Sequence, residues 1–231
     1  WRGNFEDWIA AGLPVITYEK TSVRRIWNLI MESTYTRNEP GVLFLERANK
    51  LNPARAAETL ISTNPCGEIP LPPGGICCLG TLNLTKFLNQ EATDFDYEKV
   101  AYYSKVMVRF LDNVNTRSDA PLPEYRWSKE HKRRIGAGIM GWGSALLMLK
   151  TRFGSEQASK LRDQVMKTFS QAVYEAGIDL AEEKGMYSVC VKEDVAETPF
   201  VKRLELSPYY MDKLRKVGIR FSAGLSSQPN G

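Results

Sequence analysis

Apolar residues recur along this chain at two spacings, and the alternation between them predicts an α/β fold. After Ser22, the residues Val23, Ile26, Trp27, Ile30 and Met31 keep helical spacing, and the pattern stops near Asn38, before Pro40-Gly41. The short apolar run Val42-Leu43-Phe44-Leu45, bounded by turn residues, reads as a buried strand. Thr59-Leu60-Ile61-Ser62 reads as a second strand, leading directly into a loop. Residues 96–117 predict a strong helix with Val100, Tyr103, Met107, Phe110, Leu111 and Val114 on one stripe. Ser155 caps a long helix that runs to Gly185, with Leu161, Val165, Phe169, Val173, Ala176 and Leu180 as its apolar face. Ser207-Pro208 opens a further helix ending at Gly218. Residues 5–20 carry no clear period, and no internal repeat or low-complexity segment is present.

The totals narrow the function classes. The chain has 231 residues, 43% apolar and 25% charged, an ordinary globular composition that suits one domain or a large part of a bigger one. A net charge of +4, from 31 basic and 27 acidic residues, is too small to argue for a nucleic-acid partner. No apolar run approaches the roughly 18 residues of a spanning helix, and no signal peptide is visible. The expected setting is therefore cytoplasmic, with no membrane. The chain begins at Trp1 and ends in Pro-Asn-Gly, and it reads as a segment of something longer.

Cysteines 66, 77, 78 and 190 are too few for a secreted disulfide scaffold of this length. With His131 as the one histidine, a Ser-His-Asp or Cys-His site would have to use it, and a zinc site would be almost all thiolate. The basic run at 129–134 reads as a solvated helix end. Gly136-x-Gly138-x-x-Gly141 matches a dinucleotide pattern, but charged residues precede it instead of an apolar strand. These glycines are read as close helix–strand packing.

The stretch that carries chemistry is Ser62-Thr63-Asn64-Pro65-Cys66-Gly67-Glu68-Ile69-Pro70-Leu71. An amide, a thiol and a carboxylate stand at alternating positions. In an extended segment they would share one face with the thiol in the middle. Pro65 fixes φ, and Gly67 permits a bend and close approach of a ligand. Asn-Pro and Cys-Gly are also common turn chemistry, and a lone cysteine is often packing. Eleven positions after Cys66 comes Cys77-Cys78-Leu79-Gly80-Thr81-Leu82-Asn83-Leu84, where an extended backbone would turn the two thiols to opposite faces.

Together the two stretches resemble the finger loop and redox-cysteine strand of the ribonucleotide reductase catalytic subunit, Asn-x-Cys-x-Glu followed by Cys-x-Leu-Gly-Ser/Thr-x-Asn-Leu. Arg133-Arg134-Ile135-Gly136 through Gly141 is similar to a further family segment. The C-terminal residues 219–231 look like the family's substrate-phosphate loop, from which Phe221, Gln228 and Asn230 depart. The resemblance implies that residues 1–231 are part of a ten-stranded α/β barrel with a central finger loop. It implies reduction of ribonucleotides to 2′-deoxyribonucleotides, with Cys66 as transient thiyl radical, Glu68 as base for the 3′-hydroxyl and Asn64 holding ribose hydroxyls. Cys77 would be one of two reducing cysteines, its partner lying upstream of the finger loop in the family, and Cys78 would be packing. Ser226, Ser227, Gln228, Pro229, Asn230 and Gly231 would bind substrate.

The eleven-residue spacing and Asn-Pro-Cys-Gly-Glu look most like the class that uses adenosylcobalamin; the alternative is a class I subunit fed by a separate metal subunit. Other implied partners are the remaining segments of the enzyme, a thioredoxin or glutaredoxin-type reductant, and a second copy in a homodimer. Tyr209-Tyr210 is read as helix packing, not as a radical-transfer pair. A rival of another class is a thiol redox or metal-binding module built on Cys66, Cys77 and Cys78, which lacks Cys-x-x-Cys spacing and a fourth ligand.

Overall fold

The computed structural model describes residues 5–230. The chain divides into two compact units, Trp1–Phe44 and Leu45–Gly231. In the first, helix α1 (Phe5–Ala10) precedes α2 (Val23–Arg37). Ser22 Oγ accepts from Arg25 N at 3.2 Å, and Asn38, left-handed at φ 60°, closes the last turn of α2 on Thr34 O. Both ends fall where the capping residues predict. No residue of α2 is buried.

The expected strand at 42–45 is not formed. Val42, Leu43 and Phe44 are exposed in irregular backbone, and Leu45 begins helix α3 (Leu45–Lys50) in the second unit. A four-residue apolar run carries too little period to separate strand from helix start.

Strands β1 (Ser62–Thr63) and β2 (Pro70–Leu71) pair antiparallel, Ser62 opposite Leu71. Of the strand expected at 59–62, only Ser62 is in a ladder. Strand β3 (Cys78–Asn83) runs parallel to β4 (Ile135–Met140), with Cys78 opposite Ile135 and Asn83 opposite Met140. The C-terminal segment lies parallel on the other side of β4: Ala137 bridges Leu225, and Ser226 N donates to Ala137 O at 3.0 Å. The described residues thus form an α/β arrangement and no closed barrel.

Helices cover one face of this sheet. The crossover from β3 to β4 carries α4 (Tyr97–Arg117) and α5 (Pro123–Lys132); α6 (Trp142–Met148) and α7 (Glu156–Lys184) follow, then α8 (Lys192–Glu197), α9 (Pro199–Arg203) and α10 (Pro208–Val217). Asp96, Ser155 and Ser207 accept from the third residue beyond them, capping α4, α7 and α10. Ile135, Ala137, Leu111, Val165, Phe169 and Val173 meet in the core between sheet and helices. Gly80 lets α4 come close, because a Cβ there would stand 3.3 Å from Leu111 Cδ2 and 3.4 Å from Met107 Sδ.

The stripe expected on α4 is rotated. Val100, Met107 and Leu111 are buried, but Tyr103 and Phe110 are exposed and Ser104, Asp112 and Asn115 take the inner positions. A polar residue reads as outward in sequence, yet Asp112 is held inside by cations from other elements. On α10, Tyr210 OH donates to Asp179 Oδ2 at 3.2 Å while Tyr209 is exposed. Only Tyr210 packs as expected. No helix among the described residues is long and apolar enough to cross a membrane.

Candidate active site

The 64–69 loop joins β1 to β2 as a compact turn. Asn64 closes it twice: its N–H donates to Ile69 O at 3.2 Å, and its Oδ1 accepts from Ile69 N at 3.1 Å. Gly67, at φ 81°, donates to Asn64 O at 3.0 Å, a backbone state that glycine adopts without strain. The extended geometry expected here is therefore corrected, and Asn64, Cys66 and Glu68 are not displayed by strand alternation. Instead the Asn64 carboxamide oxygen faces into the loop and Cys66 is exposed. One carboxylate oxygen of Glu68, Oε2, is buried with no hydrogen-bond partner. An unpartnered buried carboxylate oxygen is costly and calls for a partner the loop does not supply.

Cys77 and Cys78 face opposite sides, as expected. Cys78 packs against the core under the helices. Cys77 Sγ lies 3.2 Å from where a Cβ on Gly136 would be, on the bare face of the sheet. Burial pushes the Cys77 thiol up to about 12; Arg134 opposes this, while Cys78 and Glu68 add to it. The influence of Glu68 places its carboxylate within electrostatic reach of this sulfur.

The glycines of β4 clear that bare face, which corrects their reading as helix packing. A side chain at Gly136 would meet Leu79 Cδ2 at 2.5 Å and Ser226 Oγ at 2.6 Å, and one at Gly138 would strike the Gln228 carboxamide. Gln228 Nε2 donates to Gly136 O at 3.2 Å and to Ser226 Oγ at 2.5 Å. Asn230 Nδ2 donates to Ile139 O and Gln228 O, each at 2.9 Å. Cys77, Ser226, Gln228 and Asn230 thus follow one another along β4. Ser227 and Pro229 are exposed, and Ser227, Gln228 and Asn230 border a cavity of about 670 Å³ at the end of β4, with Trp142, Phe153 and Arg162 opposite. Gly231 lies outside the described residues.

The basic run at 129–134 is no solvated helix end. Lys129 Nζ donates to Ser118 O at 2.6 Å; Lys132 Nζ stands 2.9 Å from Glu58 Oε2, and Arg134 donates to Glu58 Oε1. Arg133 Nη2 donates to Asp112 Oδ1 at 2.5 Å. Glu58 and Arg134 are site neighbours that no sequence signal singles out, beyond the charge of Arg134 beside the Gly136 strand. His131 is turned to its own helix, Nδ1 2.9 Å from Trp127 O and the ring stacked on Trp127.

A helix-covered parallel sheet whose open face carries a thiol, hydroxyl and amide groups, with a carboxylate loop nearby, defines an α/β protein with an enzyme-like site. Comparison then gives the family. The family described as ribonucleotide reductase, barrel domain, matches residues 6–230, and the chain belongs to it. A vitamin B12-dependent ribonucleoside-diphosphate reductase of Mycobacterium tuberculosis is 37% identical over 163 residues, 70% of this chain and 23% of that protein. One of the same description from Thermoplasma acidophilum is 31% identical over 169 residues, 73% of this chain and 22% of that protein. A ribonucleoside-diphosphate reductase large chain of Neurospora crassa is 30% identical over 169 residues, 71% of this chain and 18% of that protein. The chain therefore spans less than a quarter of the length of these relatives.

Proposed function

We propose that this chain is the finger-loop and redox-strand portion of an enzyme that reduces ribonucleotides to 2′-deoxyribonucleotides, using Cys66, Glu68, Asn64 and Cys77. The observation that carries the reading is the buried, unpartnered Glu68 oxygen in a loop whose exposed thiol is Cys66, within reach of the field at Cys77. A carboxylate so placed can accept a proton from a substrate hydroxyl. In this reading a Cys66 thiyl radical removes the 3′ hydrogen of the ribose and returns it at the end, Glu68 takes the 3′-hydroxyl proton, and a reducing thiol gives the proton with which the 2′-hydroxyl leaves as water. Asn64 fixes the loop and, through its amide, the ribose hydroxyls. Cys77 is one of the two thiols that supply electrons and end as a disulfide. Ser226, Ser227, Gln228, Pro229, Asn230 and Gly231 border the substrate phosphates, the amides and hydroxyls serving as donors.

The similarity to vitamin B12-dependent enzymes supports adenosylcobalamin as the radical source, which when bound would supply the initiating radical to Cys66. No residue described here is assigned to hold that group, and the cavity at the end of β4 is bordered by the proposed phosphate loop. Its seat is assigned to the remainder of the protein, as are the second reducing cysteine, the dithiol reductant's contacts and a homodimer interface. The Neurospora crassa relative supports the other reading, a separate radical-generating subunit.

In the whole enzyme, Cys66→Ser is expected to abolish deoxynucleotide formation while leaving the far-UV circular dichroism unchanged. Retained activity overturns the radical role. Activity restored by cobalamin alone selects the first radical source, and activity that requires a second subunit selects the other.

A further inference from the structure

The base of the 64–69 loop borders a second cavity, of about 220 Å³, that shares no residue with the one at the end of β4. Leu60 and Ile69 line it from the two sides of the loop, Tyr174 and Phe200 from α7 and α9, and Ala48 from α3. The Tyr174 and Phe200 rings stand 5.4 Å apart at 53°, a tilted pair that offers both edge and face to a further ring. An apolar cavity of about 150 Å³ is enough to take benzene, and drug-sized sites run from roughly 300 to 1,000 Å³. The space therefore suits one ring or a short branched chain and is too small for a nucleotide.

One charged residue borders this apolar space, Arg134, which immediately precedes β4. Its side chain is 6% exposed. Of its five N–H donors, only one on Nη2 makes a hydrogen bond among the described residues, to Glu58 Oε1. The other guanidinium nitrogens are not sealed against neighbouring atoms, so they open on free space.

The local charges do not balance. Glu58, 1% exposed, is shared between Arg134 and Lys132, whose Nζ stands 2.9 Å from Oε2 and whose side chain is 7% exposed. Two buried cations thus face one carboxylate. Lys132 has a second partner in the Trp127 ring, 5.7 Å from Nζ, whereas Arg134 faces the cavity. An excess charge held out of water is costly, and an anion brought to it relieves that cost. A carboxylate is the anion that a planar guanidinium binds best in a confined space, through two parallel N–H bonds.

We propose that this cavity is a binding site for a small free carboxylic acid with a compact apolar body, the carboxylate on Arg134 and the body among Leu60, Ile69, Tyr174 and Phe200. The assignment is independent of the radical chemistry and of any role for Cys77. Ile69 is also the residue that Asn64 bonds through both backbone and side chain, so the occupant would touch the closure of the 64–69 loop.

The test is titration of the full chain with 4-fluorobenzoate, followed by ¹⁹F NMR, beside the neutral isostere 4-fluorobenzamide, with folding of each variant checked by far-UV circular dichroism. The acid is expected to bind saturably and the amide about tenfold more weakly or worse, the worth of a hydrogen bond to a charged group. Arg134→Gln should weaken the acid by a similar factor and leave the amide little changed. Ala48→Phe, which fills the cavity from its rim and keeps every charge, should weaken both.

No saturable binding of the acid, equal binding of acid and amide, or undiminished binding in either variant overturns the proposal; binding to surface lysines and arginines would survive Ala48→Phe. Should Arg134→Gln fail to fold, the preference for the acid and its loss in Ala48→Phe must both still appear. The same titration of the whole enzyme separates a free acid from an acidic side chain of another segment. Saturable binding that Ala48→Phe weakens supports the free acid, and its absence overturns it.

Discussion

Replacing Asp112 by Asn tests the charge cluster that ties together the ends of α4, α5 and α7 and the C-terminal segment. The Asp112 side chain is 4% exposed, and its Oδ1 accepts from Arg133 Nε at 3.1 Å, Arg133 Nη2 at 2.5 Å and Arg220 Nε at 3.0 Å. Lys184 Nζ stands 3.3 Å from Oδ2. Asn keeps the shape and removes the charge, leaving three cations facing a neutral amide. Breaking a buried pair in this way costs about 3–5 kcal/mol.

Part of the cluster survives. Arg133 still donates to Asp112 O and Thr116 Oγ1, and Arg220 to Lys184 O and Gly185 O. The expected loss is therefore at the lower end, about 3 kcal/mol. Urea unfolding at pH 7 followed by far-UV circular dichroism should show the midpoint falling by about 1–2 M.

The effect depends on pH with a definite sign. Burial alone would raise the Asp112 carboxyl, but the hydrogen bonds and charges of Arg133 and Arg220 outweigh it and hold it below the usual carboxylate range. Such a group stabilises the fold above its unfolded value of about 3.9, and the stabilisation is lost as pH falls through the lower, folded value. The gap between parent and Asp112→Asn should then be full at pH 7 and narrow toward pH 3. A loss below about 1 kcal/mol at pH 7, or a gap that does not change with pH, refutes the reasoning.

Ser155→Ala removes the hydroxyl that accepts from Ala158 N at 3.1 Å, and should lower urea stability by about 1 kcal/mol with α7 still formed. Cys66 is exposed, whereas burial raises Cys77, Cys78 and Cys190. Iodoacetamide at pH 8 should therefore modify Cys66 first, as read by peptide mass spectrometry, and prior modification of Cys77 would contradict the structure. Adjacent positions on β3 should differ: Leu79→Asn, at a site 46% exposed on the bare face, should cost under about 1 kcal/mol. Gly80→Leu, pressed against Leu111 and Met107, should cost about 1–3 kcal/mol by overpacking, and equal costs in urea unfolding would contradict the two-faced sheet.

The helices whose ends carry side-chain caps were legible, because Ser22, Asp96, Ser155 and Ser207 satisfy backbone donors three residues away, a purely local matter. The opposite facing of Cys77 and Cys78 was legible for the same reason, since alternation needs no distant partner. The misreading of the basic run depends on residues far along the chain. The basic run looked solvated because Glu58 lies 76 positions before Arg134, and Asp112 lies 21 before Arg133. The α4 stripe was rotated by that same Asp112. The 64–69 loop departed from the extended reading because Asn64 bonds Ile69 through both backbone and side chain, a closure that an Asn five residues ahead does not announce.

The buried charges also bear on why the site residues meet at all. β4 reads Ile-Gly-Ala-Gly-Ile-Met, and a glycine-rich strand has weakly specified register, since a slip of one residue costs little on the glycine face. Here such a slip would be ruinous to the site. It would turn Ile135 and Ala137 onto the bare face and fill the space that Cys77, Ser226 and Gln228 use. The residues just before the strand oppose the slip. Lys132 and Arg134 pair with Glu58, whereas Arg133 between them pairs with Asp112 on α4. Shifting the strand by one would exchange these partners and strand at least one buried charge, at several kcal/mol. The hydrophobic face alone, Ile135, Ala137 and Ile139 against the helices, penalises the slip less sharply, because alanine and glycine bury little area. The two acidic anchors thus do for a strand of glycines what alternating large side chains do elsewhere: they hold one register, and with it the alignment of a thiol, a hydroxyl and an amide on one surface.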